Sequence, residues 1–221
     1  MSSTIQKLKD PGSAITHFIA MLMATIAATP LLVKAMSKGK VTTICCLIFI
    51  ASMILLYGAS TIYHSFDKGQ RINTILKKLD HAMIFVLIAG SYTPICLLAI
   101  GGAIGTTLMG IVWAVGMVGI MFKLCWVTCP KWLSSVIYIA MGWLCLLAIS
   151  PIRNTMTKEA ILWLMLGGVI YTVGGVLYAI KTPAVIRFNN KHKLFGTHEI
   201  FHLFVMAGSV CHFILIYNYI V

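Results

Sequence analysis

Charge is what this sequence has least of. Only 10% of its 221 residues are Asp, Glu, Lys or Arg, and only 5 of them are acidic. Soluble domains run about 25% charged. A chain that is 60% hydrophobic, with mean hydropathy +0.96, cannot cover itself with polar surface in water. Its solvent is a bilayer. The 17 Lys and Arg leave a formal balance of +12. On a soluble protein that excess points to nucleic acid. Here the basic residues sit between apolar runs and no RNA- or DNA-binding motif accompanies them, so membrane orientation and anionic headgroups account for them.

Other absences narrow the field. No C-x-x-C pair occurs among Cys45, Cys46, Cys96, Cys125, Cys129, Cys145 and Cys211. Most lie inside apolar runs, where Cys behaves as a small hydrophobe. Cys125 and Cys129 are four apart, but no His or Cys partner joins them, which argues against a zinc knuckle. The short alternating strands of a β-barrel are missing. So are low-complexity tracts, convincing internal repeats and a soluble domain before or after the apolar region. Lys7 and Lys9 precede an apolar run as in a signal peptide. That run is long, contains Pro30 and is followed by six more, so it reads as a retained first span.

What is present is seven stretches of the length that crosses a bilayer, about 20 mostly apolar residues each. They fall roughly at 14–33, 41–64, 80–100, 103–123, 132–150, 160–180 and 197–220. The expected fold class is all-α: an integral membrane bundle of seven transmembrane helices, one membrane domain over residues 1–221. Gly101-Gly102 predicts the tight turn between the third and fourth spans, and Pro151 the end of the fifth. Twelve basic residues lie on the N-terminal side and in the loops after spans two, four and six, against five in the opposite loops. That bias predicts a cytoplasmic N-terminus and an external C-terminus. In segment 67–79, Ile72, Ile75, Leu76 and Leu79 share a face, with Lys68, Arg71, Lys77 and Lys78 on the polar side. The pattern suits either a short basic helix on the inner headgroups or a plain charged loop.

Ionisable groups inside a bilayer are costly, so their positions are functional hypotheses. His64 ends span two, Asp80 starts span three, and His198 and His202 start span seven, all at the cytoplasmic depth. His198 and His202 are four apart and face one way on a helix. A catalytic zinc takes three protein ligands and keeps one position for water. His64, His198 and His202 supply three imidazoles. Asp80 then orients or deprotonates the water, and Ser60, four residues before His64, hydrogen-bonds the site or a substrate carbonyl. His17, His81, His192 and His212 read as ordinary interfacial histidines, with His17 also within reach of the site as a supporting partner. His198-Glu199-x-x-His202 matches the H-E-x-x-H pattern of zinc proteases. However, the only downstream candidate ligand, His212, lies about 15 Å further along the helix. Glu199, offset by about 100° from His198, faces a neighbouring helix, the headgroups or water.

These residues carry a resemblance. ITH at 15–17, ASTIYHSF at 59–66, LDHAMIFVLIAGSYTPICL at 79–97, PKWLSSVIYIAMGWL at 130–144, GGVIYTVGGVLYA at 167–179 and HEIFHLFVMAGSVCHF at 198–213 cover nearly the whole chain. The sequence resembles the hemolysin III branch of the progestin and adipoQ receptor family, in the wider superfamily that holds the alkaline ceramidases. The resemblance implies zinc on His64, His198 and His202 at the cytoplasmic side, with Asp80 and Ser60 beside it. It also implies hydrolysis of lipid amides or esters, membrane lipids as partners and a role in lipid homeostasis. The chain lacks the long N-terminal domain of the animal receptors, so adiponectin or progestin sensing is not implied, and the compact form suggests a bacterial plasma membrane. Two alternatives stand beside the hydrolase. One is a pore-forming cytolysin, which the permanently apolar spans disfavour. The other is a receptor or structural membrane protein in which zinc only staples helices.

Overall fold

The computed structural model describes residues 8–180, 182–191 and 195–221. Among them every regular element is helical, and seven helical stretches are long and apolar enough to cross a membrane. The first two spans are α1 (Pro11–Lys38) and α2 (Lys40–Ser65). α3 (Gln70–Pro94) continues through a π-helical turn, Ile95–Ile100, as the third span. α4 (Gly102–Cys125) is the fourth. The fifth comprises α5 (Lys131–Gly142), a 3-10 segment Trp143–Ala148, and α6 (Ile149–Thr155). α7 (Lys158–Ala179) is the sixth, α8 (Pro183–Lys191) is a short connecting helix, and α9 (Thr197–Leu215) with the π-turn Ile216–Ile220 is the seventh.

Neighbour packing closes these helices into a ring: α1 on α2, α2 on α3, α3 on α5, α5 on α7, α7 on α9, and α9 back on α1. α4 packs outside the ring against α3 and the fifth span. The third span is the most interior, with 56% of its apolar window buried against 22% for the first. Side chains such as Ile26, Val118 and Leu147 point outward, 74%, 70% and 71% exposed. Apolar groups on the outside are the expected surface for a protein dissolved in hydrocarbon.

Local chemistry explains the breaks. Gly101 and Gly102 adopt φ of 66° and 56°, the left-handed region that glycine enters without a Cβ penalty. Pro151 does not end the fifth span, as expected from sequence; it sits in the first turn of α6, where a missing N–H is tolerated. The real discontinuity lies upstream. The Tyr92 hydroxyl enters the fifth span, donating to Gly142 O (2.6 Å) and accepting from Cys145 N–H (2.8 Å). A side chain inserted into the helical ladder is a recognised cause of such a break. Residues 70–79 are neither a separate surface helix nor a loop. They are the first turns of α3, preceded by a turn in which Asp67 accepts from Asn73 and from Gly69 N–H. The Asn73 hydrogen bond holds the Asp67 carboxyl below the usual carboxylate range.

Candidate metal centre

The N-terminal ends of α1, α3 and α9 and the C-terminal end of α2 meet around three imidazoles. One ligand nitrogen each from His64, His198 and His202 lie within 4.8 Å of one another, and among the described residues these three form the group able to hold a metal ion. His64 and His202 are buried and His198 nearly so. The α9 spacing of four puts His198 and His202 on one face, as expected. α1 packs on both α2 and α9, and His198 Nε2 stands 3.3 Å from His64 Nε2.

The outer nitrogens decide what the inner ones offer. Asp10 Oδ2 lies 2.9 Å from His64 Nδ1. An ionised carboxylate only accepts, so Nδ1 carries the proton and Nε2 presents a lone pair to the centre. This hydrogen bond also holds the Asp10 carboxyl below the usual range. The backbone locks the pair, because Asp10 N–H donates to His64 O at 2.9 Å. Thr16 works the same way on His202. Its Oγ1 lies 2.9 and 3.0 Å from Gly12 O and Ser13 O, and a hydroxyl donating to either carbonyl leaves its oxygen able to accept from His202 Nδ1, 3.3 Å away. Such partners fix tautomer and ring direction in metal sites.

The residues therefore fit a metal. Two nitrogens on one tetrahedral zinc, each at about 2.0–2.1 Å, stand about 3.3 Å apart, matching His64 and His198. Two lone pairs at that separation repel unless a proton or a cation lies between them. His198 Nδ1, buried, has no hydrogen-bond partner among the described residues.

The other expected residues take distinct places. Asp80 and Ser60 are buried and line the same cavity as His198 and His202. The Asp80 carboxylate stands outside the three-histidine group but in electrostatic contact with His64. Ser60 Oγ faces Asp80 without closing a standard hydrogen bond. Glu199 turns away from the centre, accepting from Gly196 N–H (2.8 Å) to cap α9 and from the Ser13 hydroxyl. The protease-like role for Glu199 has no geometric footing. His17, His81 and His212 all line the interior cavity. His17 stacks on His202 with ring centroids 3.6 Å apart and 9° between planes. His192 lies outside the described residues, as do Lys7, Lys181 and Lys193.

At the start of α1 the sequence placed His17 within reach of the site, but not Asp10, Ser13 or Thr16. Asp10, Ser13, Thr16 and His17 fall three, three and one residues apart, on one helical face at the depth of the histidines. That periodic polarity at the mouth of an apolar span was the available signal.

The cavity is bounded by six of the seven spans; α4 contributes nothing to its wall. Its polar end holds Ser60, Asp80, His81, His198 and His202, and its walls are Leu56, Ile84, Leu87, Ile139, Phe201 and Val205. Beside it, Tyr57 donates to Ser209 Oγ (2.7 Å), which also pairs with the Tyr171 hydroxyl (2.8 Å), tying α2, α7 and α9 together.

Comparison with known proteins agrees with this architecture. A family model described as "Haemolysin-III related" matches residues 5–213. The chain is 37% identical to the "Hemolysin-3 homolog" of Bacillus subtilis over 96% of this chain and 95% of the relative. It is 34% identical to "Hemolysin-3" of Bacillus cereus over 100% and 96%. The human "Monocyte to macrophage differentiation factor" is 24% identical over 95% of this chain and 83% of its own length.

Proposed function

The chain belongs to the haemolysin III-related family, and from that premise we propose that it is a zinc-dependent hydrolase of amide or ester bonds in membrane lipids, serving membrane lipid homeostasis. It is an integral protein of the bacterial plasma membrane. The observation that carries the catalytic reading is the directed set of nitrogens: Asp10 and Thr16 take the outer protons of His64 and His202, and the inner lone pairs converge beside a cavity holding a carboxylate.

His64, His198 and His202 would hold the zinc, which when bound would supply Lewis acidity for a carbonyl and a water nucleophile near neutral pH. This chain's own groups do the rest. Asp80 accepts the proton of the attacking water and passes it to the leaving amine or alcohol. Ser60 donates its hydroxyl, otherwise unpaired, to the developing oxyanion. The apolar walls hold the acyl chain while its head reaches the inner-leaflet end, and they exclude bulk water. A purely structural zinc usually has four protein ligands. Asp80 standing outside the three-histidine group supports the hydrolase reading over a structural one.

The test is metal analysis combined with turnover. Protein purified without chelator is expected to hold about one zinc per chain and to release fatty acid from short-chain ceramide or ester analogues in detergent micelles. Metal without turnover on any lipid amide or ester would move the centre to the structural or receptor reading. Lysis of erythrocytes by the purified protein at unchanged rate after His64→Ala would favour a cytolysin independent of the site.

A further inference from the structure

His212 is a buried imidazole that the proposed reaction does not use. It lies on α9, ten residues beyond His202, or about 15 Å along the helix. Neither ring nitrogen closes a hydrogen bond among the described residues, though one faces the Leu164 carbonyl. The ring is held closely. A Cβ on Gly167 would stand 2.5 Å from His212 Cδ2, so only glycine leaves it room there. Tyr171 meets it edge-on with centroids 5.4 Å apart.

Its position relative to the cavities is distinctive. His212 lines the inner cavity that contains Asp80 and the histidine centre, and also a second cavity that runs on past Ile95 and Leu108 to Ile100. Ser91, Tyr92, Gly142, Trp143 and Gly168 are shared by both walls. These residues form a throat, and the imidazole sits in it.

We propose that His212 is the stop that sets the length of hydrocarbon chain the inner cavity accepts. The proposal rests on the lipid reading above. A chain whose polar end occupies the histidine centre runs along Leu87, Phe201 and Val205 towards the throat. Passing it requires the ring to move. Gly167 backbone and Tyr171 block one side, and moving to the other takes the ring further from the Leu164 carbonyl. A methyl terminus resting on the ring edge avoids both. The lining on the other helices gives a consistent length. On α3 it runs from Asp80 to Tyr92, about 18 Å, and on α7 from Tyr178 to Gly168, about 15 Å. At about 1.25 Å of axial length per methylene, from a C–C bond near 1.5 Å, the inner cavity takes a chain of roughly a dozen carbons.

The experiment is binding, not turnover. The probes are straight saturated fatty acids of graded length, the acid product of the proposed cleavage, titrated into the zinc-loaded full chain in detergent. Affinity is expected to rise about fourfold per added methylene, the ratio that burial of one CH2 implies, and to level off near a dozen carbons. His212→Ala removes the stop and joins the two cavities, so the level-off point moves several carbons longer. Replacing a poorly paired buried polar group by an apolar one is usually tolerated, so His212→Val supplies a fold-safe variant that shifts the same way by less. A wild-type profile with no break, or the same break in wild type and His212→Val, overturns the proposal. If no chain of any length binds, the lipid reading falls and the stop with it. Binding with the expected break but no hydrolysis leaves the stop standing and removes only the enzyme.

Discussion

Asp10 and Thr16 decide which nitrogen each histidine offers, and neither would be a zinc ligand itself. Their value is orientation. Asp10→Ala is expected to weaken zinc binding by about 10–100-fold, the usual consequence of losing such a partner, measured by competition with a chromogenic chelator. An unchanged affinity would mean that helix packing alone aims the His64 ring. His64→Ala and His202→Ala should abolish stoichiometric metal. Asp80→Ala should keep the metal and lose turnover; full hydrolysis in that variant would exclude the proton-transfer role. Glu199→Gln should matter less than Asp80→Ala, because Glu199 caps α9 and holds Ser13. At this scale sequence reasoning was partial. Depth and a spacing of four brought His64, His198 and His202 into one set, and the three rings do meet. Lys123, by contrast, counted as a loop cation, is fully buried. Its Nζ donates to Cys129 Sγ at 3.0 Å and to the Ser134 hydroxyl. A residue near the end of an apolar run carries no mark of which way its side chain turns.

At the scale of elements, length and interruption matter most. Residues 70–79 look like a surface helix because their apolar face is narrow and their charges are dense. They are continuous with α3 because no helix-breaking residue separates them from the apolar stretch. Tyr92→Phe removes both polar contacts that hold the break in the fifth span, leaving Cys145 N–H unpaired. A loss of about 1–3 kcal/mol is expected, visible as a lower detergent-melting temperature. α4 is held against α3 by a close approach: a Cβ on Gly119 would lie 2.2 Å from Phe85 Cε1. Gly119→Val should therefore destabilise by about 1–3 kcal/mol through overpacking, while leaving zinc content unchanged, since α4 does not line the cavity. Loss of metal in that variant would mean that the outer helix supports the centre after all.

The whole molecule is a ring of six spans around a cavity, with the three-histidine cluster joining the second and seventh spans and, through Asp10 and Thr16, the start of the first. A ligand that binds only the folded ring stabilises it by mass action, about 2.7 kcal/mol at a hundredfold excess over Kd. Removing zinc with a chelator should lower the melting temperature, and re-addition should restore it. His64→Ala should melt at one temperature with or without zinc. If wild type does the same, the metal is not a staple. The charge bias predicts that the N-terminus and the histidine cluster lie inside; a periplasm-only reporter on the C-terminus should then be active, and its silence would invert the topology.

Hydropathy made the number of spans, their class and the placing of the histidines at span ends readable from the sequence, because each depends only on a residue's position along one helix and on the bilayer outside it. The part played by Asp10 and Thr16, the placing of α4 outside the ring and the throat at His212 were decided by tertiary structure alone. They depend on which apolar faces pack together, and one Leu- or Ile-rich face advertises no partner over another until side-chain shape, a bare glycine or an inserted tyrosine selects it.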